Sequence, residues 1–171
     1  MAGRKDLREH VERLRALSFK VGAYRPPSEG GSASLLLRVT ENCPWNRCTF
    51  CEMYKGRRFV YRPVEEIKAD IDRVAAIRDE ITAVSWKLGM GGKITRDAGV
   101  ALLAEGRDLI ENAGFITVFN WLSSGGRTAF LQDADSMIMR SPEFVAALRY
   151  LRETLPSLPP RSGIQYSATS K

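Results

Sequence analysis

Three cysteines, Cys43, Cys48 and Cys51, lie within one short stretch and are the residues of this sequence best suited to chemistry. They are the only cysteines in the chain, so one thiol would be left over after any internal disulfide. Thiols that cluster this closely are typical of metal sites, because a disulfide normally joins segments that are distant in the sequence. In the spacing C-x4-C-x2-C, the last two cysteines can turn their thiolates toward one metal centre, and Cys43 can reach the same centre.

The number of thiols indicates the kind of site. Structural zinc sites need four cysteine or histidine ligands, and iron–sulfur clusters are most often held by four thiolates. The chain has no fourth cysteine, and its one histidine, His10, lies far away on a charged segment that predicts a surface position without a catalytic role. A closed site would therefore lack a ligand, whereas an open site with one metal position free for a small molecule needs only three. The count favours catalysis over a structural role.

The cysteines directly follow a predicted strand. Residues 34–40 (SLLLRVT) form a short, partly β-branched apolar run that is typical of a buried strand. Similar runs at 127–132 (RTAFLQ) and 163–169 (GIQYSAT) predict a second and a third strand. Because helical patterns separate them, the order predicts an α/β fold with a parallel sheet and right-handed crossovers. Ligands of such sheets bind at the carboxyl ends of the strands, where the cysteine loop and the turn 132–136 (QDADS) would both lie.

Helical periodicity predicts the elements between the strands. Apolar residues recur at helical spacing in 4–17, 63–80 and 141–155. The second and third of these segments also begin with a proline and acidic residues, which favour a helix start. Thr95 predicts the start of another helix, with Gly114 as its stop. Residues 115–122 also have helical spacing, although their β-branched and aromatic content leaves a strand open.

Composition narrows the class of protein. Hydrophobic residues make up 44% and charged residues 27%, which is typical of a globular domain and excludes a disordered or fibrous chain. The charged N-terminus lacks the apolar segment of a secretory signal, and no apolar run could span a bilayer, so the sequence predicts a cytoplasmic protein without membrane contact. The net charge of +6 is compatible with an anionic partner such as RNA or a nucleotide, although dispersed charges favour a solvated surface.

One basic cluster stands out from this dispersed charge. Lys55, Arg57, Arg58 and Arg62 have little acid between them. They predict either a solvated basic turn or a binding site for a phosphorylated substrate or RNA.

The residues around the cysteines resemble a known superfamily. The run 40–51 (TENCPWNRCTFC), with Phe50 just before the last cysteine, is followed by YKG at 54–56 and RPVEE at 62–66. Placed after the first strand of a parallel α/β sheet, this motif is similar to that of radical S-adenosylmethionine (radical SAM) enzymes, in a poorly characterised branch. The spacing between the first two cysteines is one residue longer than is usual in the superfamily.

The resemblance implies a cofactor and a chemistry. The three cysteines would hold a [4Fe–4S] cluster whose remaining iron is chelated by S-adenosylmethionine. An electron from the reduced cluster, delivered by a flavodoxin- or ferredoxin-like protein, would cleave the sulfonium to methionine and a 5′-deoxyadenosyl radical that abstracts hydrogen from a substrate. Phe50 would lie near the adenine, and Asp133 or Asp135 would bind the methionine amino group. A turn and capping role is the alternative for the two acids.

The resemblance also implies an incomplete barrel. Residues 34–171 are expected to form a partial parallel (β/α) barrel of about three strands with helices, a truncated radical SAM barrel. An N-terminal helix and loop over 1–33 would precede it. The third strand, 163–169, would leave an open apolar edge, which predicts self-association or a partner chain. Neither a catalytic residue nor a substrate is indicated, so a small molecule and RNA both stay open.

Three functions are compatible with these observations. The first is a radical SAM enzyme or its cluster-bearing half. The second is a non-catalytic iron–sulfur or zinc binding module that uses an external fourth ligand, and the third is a basic nucleic-acid-binding domain with a three-cysteine structural site. In the first case Trp45, Met53 and Tyr54 could line the pocket or cover the cluster from water.

Overall fold

The fold combines a small sheet with long helices. The computed structural model describes residues 4–23, 25–26, 33–158 and 164–166. In chain order the elements are α1 (Arg4–Ala16), β1 (Leu35–Arg38), β2 (Thr40–Glu41), β3 (Val60–Tyr61), α2 (Val64–Lys87), α3 (Arg96–Glu105), a 3₁₀ helix (Arg107–Glu111), α4 (Ala113–Ser123), β4 (Ala129–Gln132), α5 (Ser141–Thr154) and β5 (Ile164–Tyr166). The other residues of the predicted third strand, 163 and 167–169, lie outside the described residues, as do 27–32 of the predicted N-terminal loop.

Strands β1, β4 and β5 form one parallel sheet in that order. Leu35 of β1 lies opposite Ala129 of β4, which in turn lies opposite Ile164 of β5. The three strands therefore end at the same edge of the sheet. Strands β2 and β3 form a separate antiparallel pair. The predicted α/β fold with a parallel sheet is confirmed, and the described strands do not close into a barrel.

Helix α2 lies at the centre of the core. It follows Pro63 and carries two acidic residues in its first turn, as the sequence predicts. Its apolar side chains recur at helical spacing and are fully buried: Ile67, Ile71, Val74, Ile77, Ile81 and Val84. They pack against α1, α4, α5 and β1. Since Ile81 and Val84 extend the same face, the helix continues past the predicted end at residue 80. No described helix, α2 included, is long and apolar enough to cross a membrane.

The region before β4 differs from the prediction. Thr95 occupies the N-cap position of α3 as expected, but α3 ends at Glu105 rather than at Gly114. Gly114 lies inside α4, where a Cβ would meet the Phe19 ring at 3.0 Å, so glycine is there for close packing. Phe115 and its neighbours form the buried face of that helix, which decides between the helix and the strand that the sequence left open.

Helix α1 belongs to the same core as the sheet. Val11 and Leu14 are buried in it. His10 is also buried, so its predicted surface position is wrong. The reason is that α1 packs on α2, where the Nδ1 atom of His10 lies 2.5 Å from Glu80 Oε2. Arg13 Nε donates to Glu80 Oε1 at 2.7 Å.

This cluster makes stability depend on pH through Glu80. Burial raises the pKa of Glu80, but hydrogen bonds from Arg13 and His10 outweigh it and bring the pKa below its ordinary value of 4.5. A carboxylate with a lowered folded-state pKa stabilises the fold above its unfolded pKa, and that contribution is lost as the pH falls through the folded pKa. We expect Glu80→Gln to lower the free energy of unfolding by about 1 kcal/mol at neutral pH and by less in acid.

Urea unfolding of the variant at neutral and acidic pH measures this difference. Glu111→Gln, at an exposed acid, is the matched control and should change little at either pH. A loss that is equal at both pH values would contradict the stabilising role of the ionised Glu80.

Candidate metal and cofactor site

The carboxyl ends of β1 and β4 form the platform of the candidate site. The strands run parallel, with Arg38 opposite Gln132. After β1 and the short strand β2 the chain enters the cysteine loop, defined here as residues 42–59, and after β4 it enters the turn 133–136. The pairing of β2 with β3 closes the base of the loop. The prediction that the loop and the turn share one edge of the sheet is confirmed.

Asp133 joins the turn to the cysteine loop. Its carboxylate is fully buried, and Oδ2 accepts hydrogen bonds from Arg38 Nε at 2.8 Å and from the Asn42 backbone N–H at 2.8 Å. Arg38 Nη2 lies 2.7 Å from the same oxygen, and the Tyr54 hydroxyl donates to Oδ1 at 3.2 Å. Charge-assisted bonds of this kind hold a buried carboxylate firmly. Asp133 therefore positions the loop, and its contact with a methionine amino group stays a prediction.

Asp135 is the more accessible acid of the turn. It is half-buried, and its Oδ1 accepts a hydrogen bond from the Met137 backbone N–H at 3.1 Å. Its backbone carbonyl accepts from the Thr40 hydroxyl at 3.3 Å. The turn and capping role that the sequence allowed is present. The carboxylate also lies at the edge of the sheet where a cationic group could approach, and its binding of S-adenosylmethionine stays a prediction.

An N-terminal segment, residues 17–23, covers this edge and is called the covering segment below. The Gly22 N–H donates to Gln132 Oε1 at 2.8 Å, and Gln132 Nε2 donates to the Gly22 carbonyl at 2.9 Å. Because Gln132 is fully buried, the covering segment satisfies a side-chain amide that water cannot reach. Lys20 donates to Glu41 Oε1 at 2.8 Å, and this hydrogen bond lowers the pKa of Glu41 below its ordinary value.

A side chain does not fit at Gly22. A Cβ built there would lie 2.4 Å from Asp133 Oδ1. We expect Gly22→Ala to lower the free energy of unfolding by about 1–3 kcal/mol, because the covering segment or the carboxylate must move. Chemical denaturation measures the loss, with Ala23→Ser at the exposed next position as a control that should change stability by less than about 0.5 kcal/mol. Unchanged stability of Gly22→Ala would show that the covering segment does not seat against Asp133.

Two asparagines shape the cysteine loop. Asn42 and Asn46 adopt left-handed backbone conformations, with φ of 67° and 46°, which asparagine tolerates better than most residues. Asn42 Nδ2 donates to the Arg58 carbonyl and Asn46 Nδ2 to the Arg57 carbonyl, each at 2.7 Å. The Asn46 backbone N–H also donates to Cys43 Sγ at 3.4 Å. This contact ties the Cys43 side chain to the backbone turn of the loop.

The three thiols fit an iron–sulfur cluster in kind and number. Cys43 is buried, and Cys48 and Cys51 are half-buried. In the part of the chain that the structure describes, no three cysteine, histidine or acidic side chains are gathered into a metal-binding group. The predicted convergence of the three thiols on one centre is therefore not seen among the described residues. All three belong to one loop, and metal binding is often coupled to local folding. Three soft thiolates without a fourth ligand suit a cluster with one open position.

The aromatic residues of the loop divide into two groups. Phe50 is 86% exposed, and Trp45 and Met53 are exposed as well. Tyr54 is buried and contacts Asp133, so it lies inside the site. The position of Phe50 near an adenine stays a prediction, because its ring is exposed to solvent and does not belong to a pocket among the described residues.

Arg62 does not belong to a solvated basic turn, which corrects the prediction for this residue. It is only 3% exposed, and its Nη2 atom lies 2.8 Å from Asp70 Oδ2. Its Nη1 atom donates to the Arg38 carbonyl at 2.6 Å. The physical reason is that the first turns of α2 bring the buried Asp70 toward the end of β1. Lys55, Arg57 and Arg58 are exposed.

Sequence reasoning missed the residues that hold the site together. Arg38 carries a weak signal, because it is the one charged residue in an apolar strand and lies at its carboxyl end. Gly22 carries no sequence signal, because its partner Gln132 is 110 residues away in the chain. Contacts of this kind depend on the tertiary fold, which local patterns do not encode.

Comparisons of the chain with protein-family models, curated proteins and solved structures found no match. The features of the chain that bear on its function are the cysteine loop, the turn 133–136 and the parallel strands that present them.

Proposed function

We propose that this chain is a radical SAM enzyme, or the cluster-bearing half of one, which binds a [4Fe–4S] cluster through Cys43, Cys48 and Cys51. The supporting observation is the position of the thiols. They occupy one loop at the carboxyl end of the first strand of a parallel sheet, and Asp133 ties that loop to the turn after the next parallel strand. Ligands of parallel α/β sheets bind at this edge. The motif and the sheet edge are independent observations that agree on the same residues.

Each residue of the site would have a separate task. Three thiolates leave one iron without a protein ligand, and the amino and carboxylate groups of S-adenosylmethionine would occupy it. When bound, the cluster supplies the electron that cleaves S-adenosylmethionine to methionine and a 5′-deoxyadenosyl radical. Asn46 donates its N–H to the Cys43 sulfur, and Asp133 holds the loop against the turn. Asp135 is more exposed than Asp133 and is therefore better placed to accept the ammonium group of the ligand, while Phe50 would cover the adenine.

We infer in addition that the sheet is part of a (β/α) barrel. Each parallel strand, in chain order, is added beside the previous one and on the same side, giving β1-β4-β5. Barrels grow in this way, whereas doubly wound sheets reverse direction at a switch point. Among the described strands, β5 pairs only with β4. Its other edge is where a partner chain or a second copy would add a strand, and a flavodoxin- or ferredoxin-like protein would deliver the electron.

Product analysis tests the proposed function. Protein reconstituted anaerobically with iron and sulfide is mixed with S-adenosylmethionine and dithionite, and 5′-deoxyadenosine and methionine are quantified by mass spectrometry. We expect the two products in equal amounts and only when reductant is present, and single-turnover amounts suffice. Reconstituted protein with a full cluster that releases neither product, and whose cluster spectrum does not change when S-adenosylmethionine is added, would contradict the proposal.

A non-catalytic iron–sulfur or zinc module is the second candidate. One observation favours it: Arg38 already matches the charge of Asp133, so that carboxylate has less charge to offer an ammonium group. The fourth ligand would then come from another molecule. Metal analysis together with product analysis separates the two candidates. About one zinc per chain, or an iron–sulfur cluster that does not cleave S-adenosylmethionine, supports the module, whereas a cluster that cleaves it supports the enzyme.

A further inference from the structure

The cysteine loop carries four exposed cations for which the described residues supply no ion-pair partner. Arg47, Lys55, Arg57 and Arg58 are all exposed, and Glu52 is the only acidic residue of the loop. None of the four cations forms an ion pair with another described residue, whereas arginines elsewhere on the described surface commonly do. Cations that lack a protein partner leave a local positive potential, which attracts anions.

Two exposed aromatic residues lie in or next to the same loop. Trp45 is 59% exposed and Tyr61 is 52% exposed. The Arg47 guanidinium lies 5.6 Å from the centroid of the Trp45 ring, in a cation–π contact. Phe59 packs edge-on against Tyr61, with ring centroids 4.9 Å apart. Both residues stay more than half exposed, so each ring keeps surface on which a base could stack.

A hydrogen bond across the loop joins the segment of Trp45 and Arg47 to the backbone of Arg57. Asn46, which lies between Trp45 and Arg47 in the chain, donates its side-chain amide to the Arg57 carbonyl at 2.7 Å. The chain then runs from Arg57 directly into β3. The exposed cations and rings of this part of the chain, Trp45, Arg47, Arg57, Arg58 and Tyr61, are called the loop surface below.

We propose that the loop surface binds a single strand of RNA. The strand's phosphates would contact the guanidinium groups, and its bases would stack on the two exposed rings. The mixture of cations and open rings favours a single strand over a duplex, whose bases are already stacked on one another. RNA is favoured over DNA because proteins commonly read unpaired bases in RNA loops and ends. The role of this RNA as a substrate rests on the proposed function, whereas the binding itself does not require the cluster.

Fluorescence anisotropy with a short, labelled, unstructured RNA tests the proposal. The full chain is titrated at several salt concentrations, both metal-free and reconstituted. Arg57→Gln/Arg58→Gln should weaken binding about tenfold and reduce the slope of log affinity against log salt by about 1.4, the value for two lost phosphate contacts on a single strand. Trp45→Ala should weaken binding at least about fivefold and leave the slope unchanged, because a stacking contact carries no charge.

The controls remove the same groups elsewhere on the protein. Arg96→Gln/Arg107→Gln removes two exposed arginines, and Trp86→Ala removes a tryptophan that is 64% exposed. Both should bind RNA like the unmodified protein. Equal losses in the control and loop variants, or tighter binding of a DNA strand or an RNA duplex of the same sequence, would overturn the proposal. Cleavage of S-adenosylmethionine is measured separately. A protein that cleaves S-adenosylmethionine but does not bind RNA would refute only this inference. A protein that binds RNA but does not cleave S-adenosylmethionine would count only against the proposed function.

Discussion

Replacing Cys43, Cys48 or Cys51 by alanine is expected to abolish stable cluster binding. The iron atoms of a [4Fe–4S] cluster are held by thiolates, and the chain has no other cysteine to substitute for a lost one. Two remaining thiolates would hold a cluster that is easily lost during purification. Iron and sulfide content after anaerobic reconstitution and desalting measures the effect, and each single variant should retain close to background amounts.

Thr49→Ala is the matched control for these variants. Thr49 is exposed, lies between Cys48 and Cys51, and has no thiol to contribute, so the variant should retain the iron and sulfide of the unmodified protein. A cysteine variant that keeps a full cluster as firmly as the unmodified protein would show that the three-thiolate site is wrong.

Replacing Asp133 by alanine is expected to lower the free energy of unfolding by about 3–5 kcal/mol. The variant leaves the Arg38 guanidinium, whose side chain is 17% exposed, without its carboxylate. It also removes the acceptor of the Asn42 N–H and the Tyr54 hydroxyl. A loss of this size is a large part of the roughly 5–15 kcal/mol that stabilises a typical domain. Denaturant unfolding measures it as a lower midpoint with an unchanged slope.

Two further variants establish the cause of that loss. Asp135→Ala, on the same turn, should cost less than about 1.5 kcal/mol, because its carboxylate is half-buried and accepts a local turn bond. Arg38→Met/Asp133→Leu should recover part of the stability, since no unpaired charge is then left inside the protein. If Asp133→Ala were no more destabilising than Asp135→Ala, the buried pair would not hold the loop to the sheet.

Much of the architecture follows from local patterns. The apolar spacing in α1, α2 and α5 predicts those helices, and the runs before the cysteine loop and the turn 133–136 predict β1 and β4. The shared edge of the loop and the turn also follows, because parallel strands end on the same side. Gly114 was misread as a stop signal since the reason for a glycine there is the ring of Phe19, which arrives from a distant segment.

What could not be predicted depends on tertiary contacts between distant residues. The burial of His10 requires α1 to pack on α2, and that of Arg62 requires Asp70 to face the end of β1. The pairing of Arg38 with Asp133 joins residues 95 positions apart. The sequence shows that a residue is charged, but only the packed fold shows whether an oppositely charged side chain lies next to it.

Electron paramagnetic resonance of the reconstituted, reduced protein is the most direct test of the proposed [4Fe–4S] site and its ligand. If Cys43, Cys48 and Cys51 hold a cluster with one open iron, the reduced protein should give the signal of a [4Fe–4S]⁺ cluster. That signal should change when S-adenosylmethionine is added, because the ligand binds directly to the open iron. A reduced cluster whose spectrum does not respond to S-adenosylmethionine, or a protein that takes up zinc and forms no cluster, would contradict the proposed function.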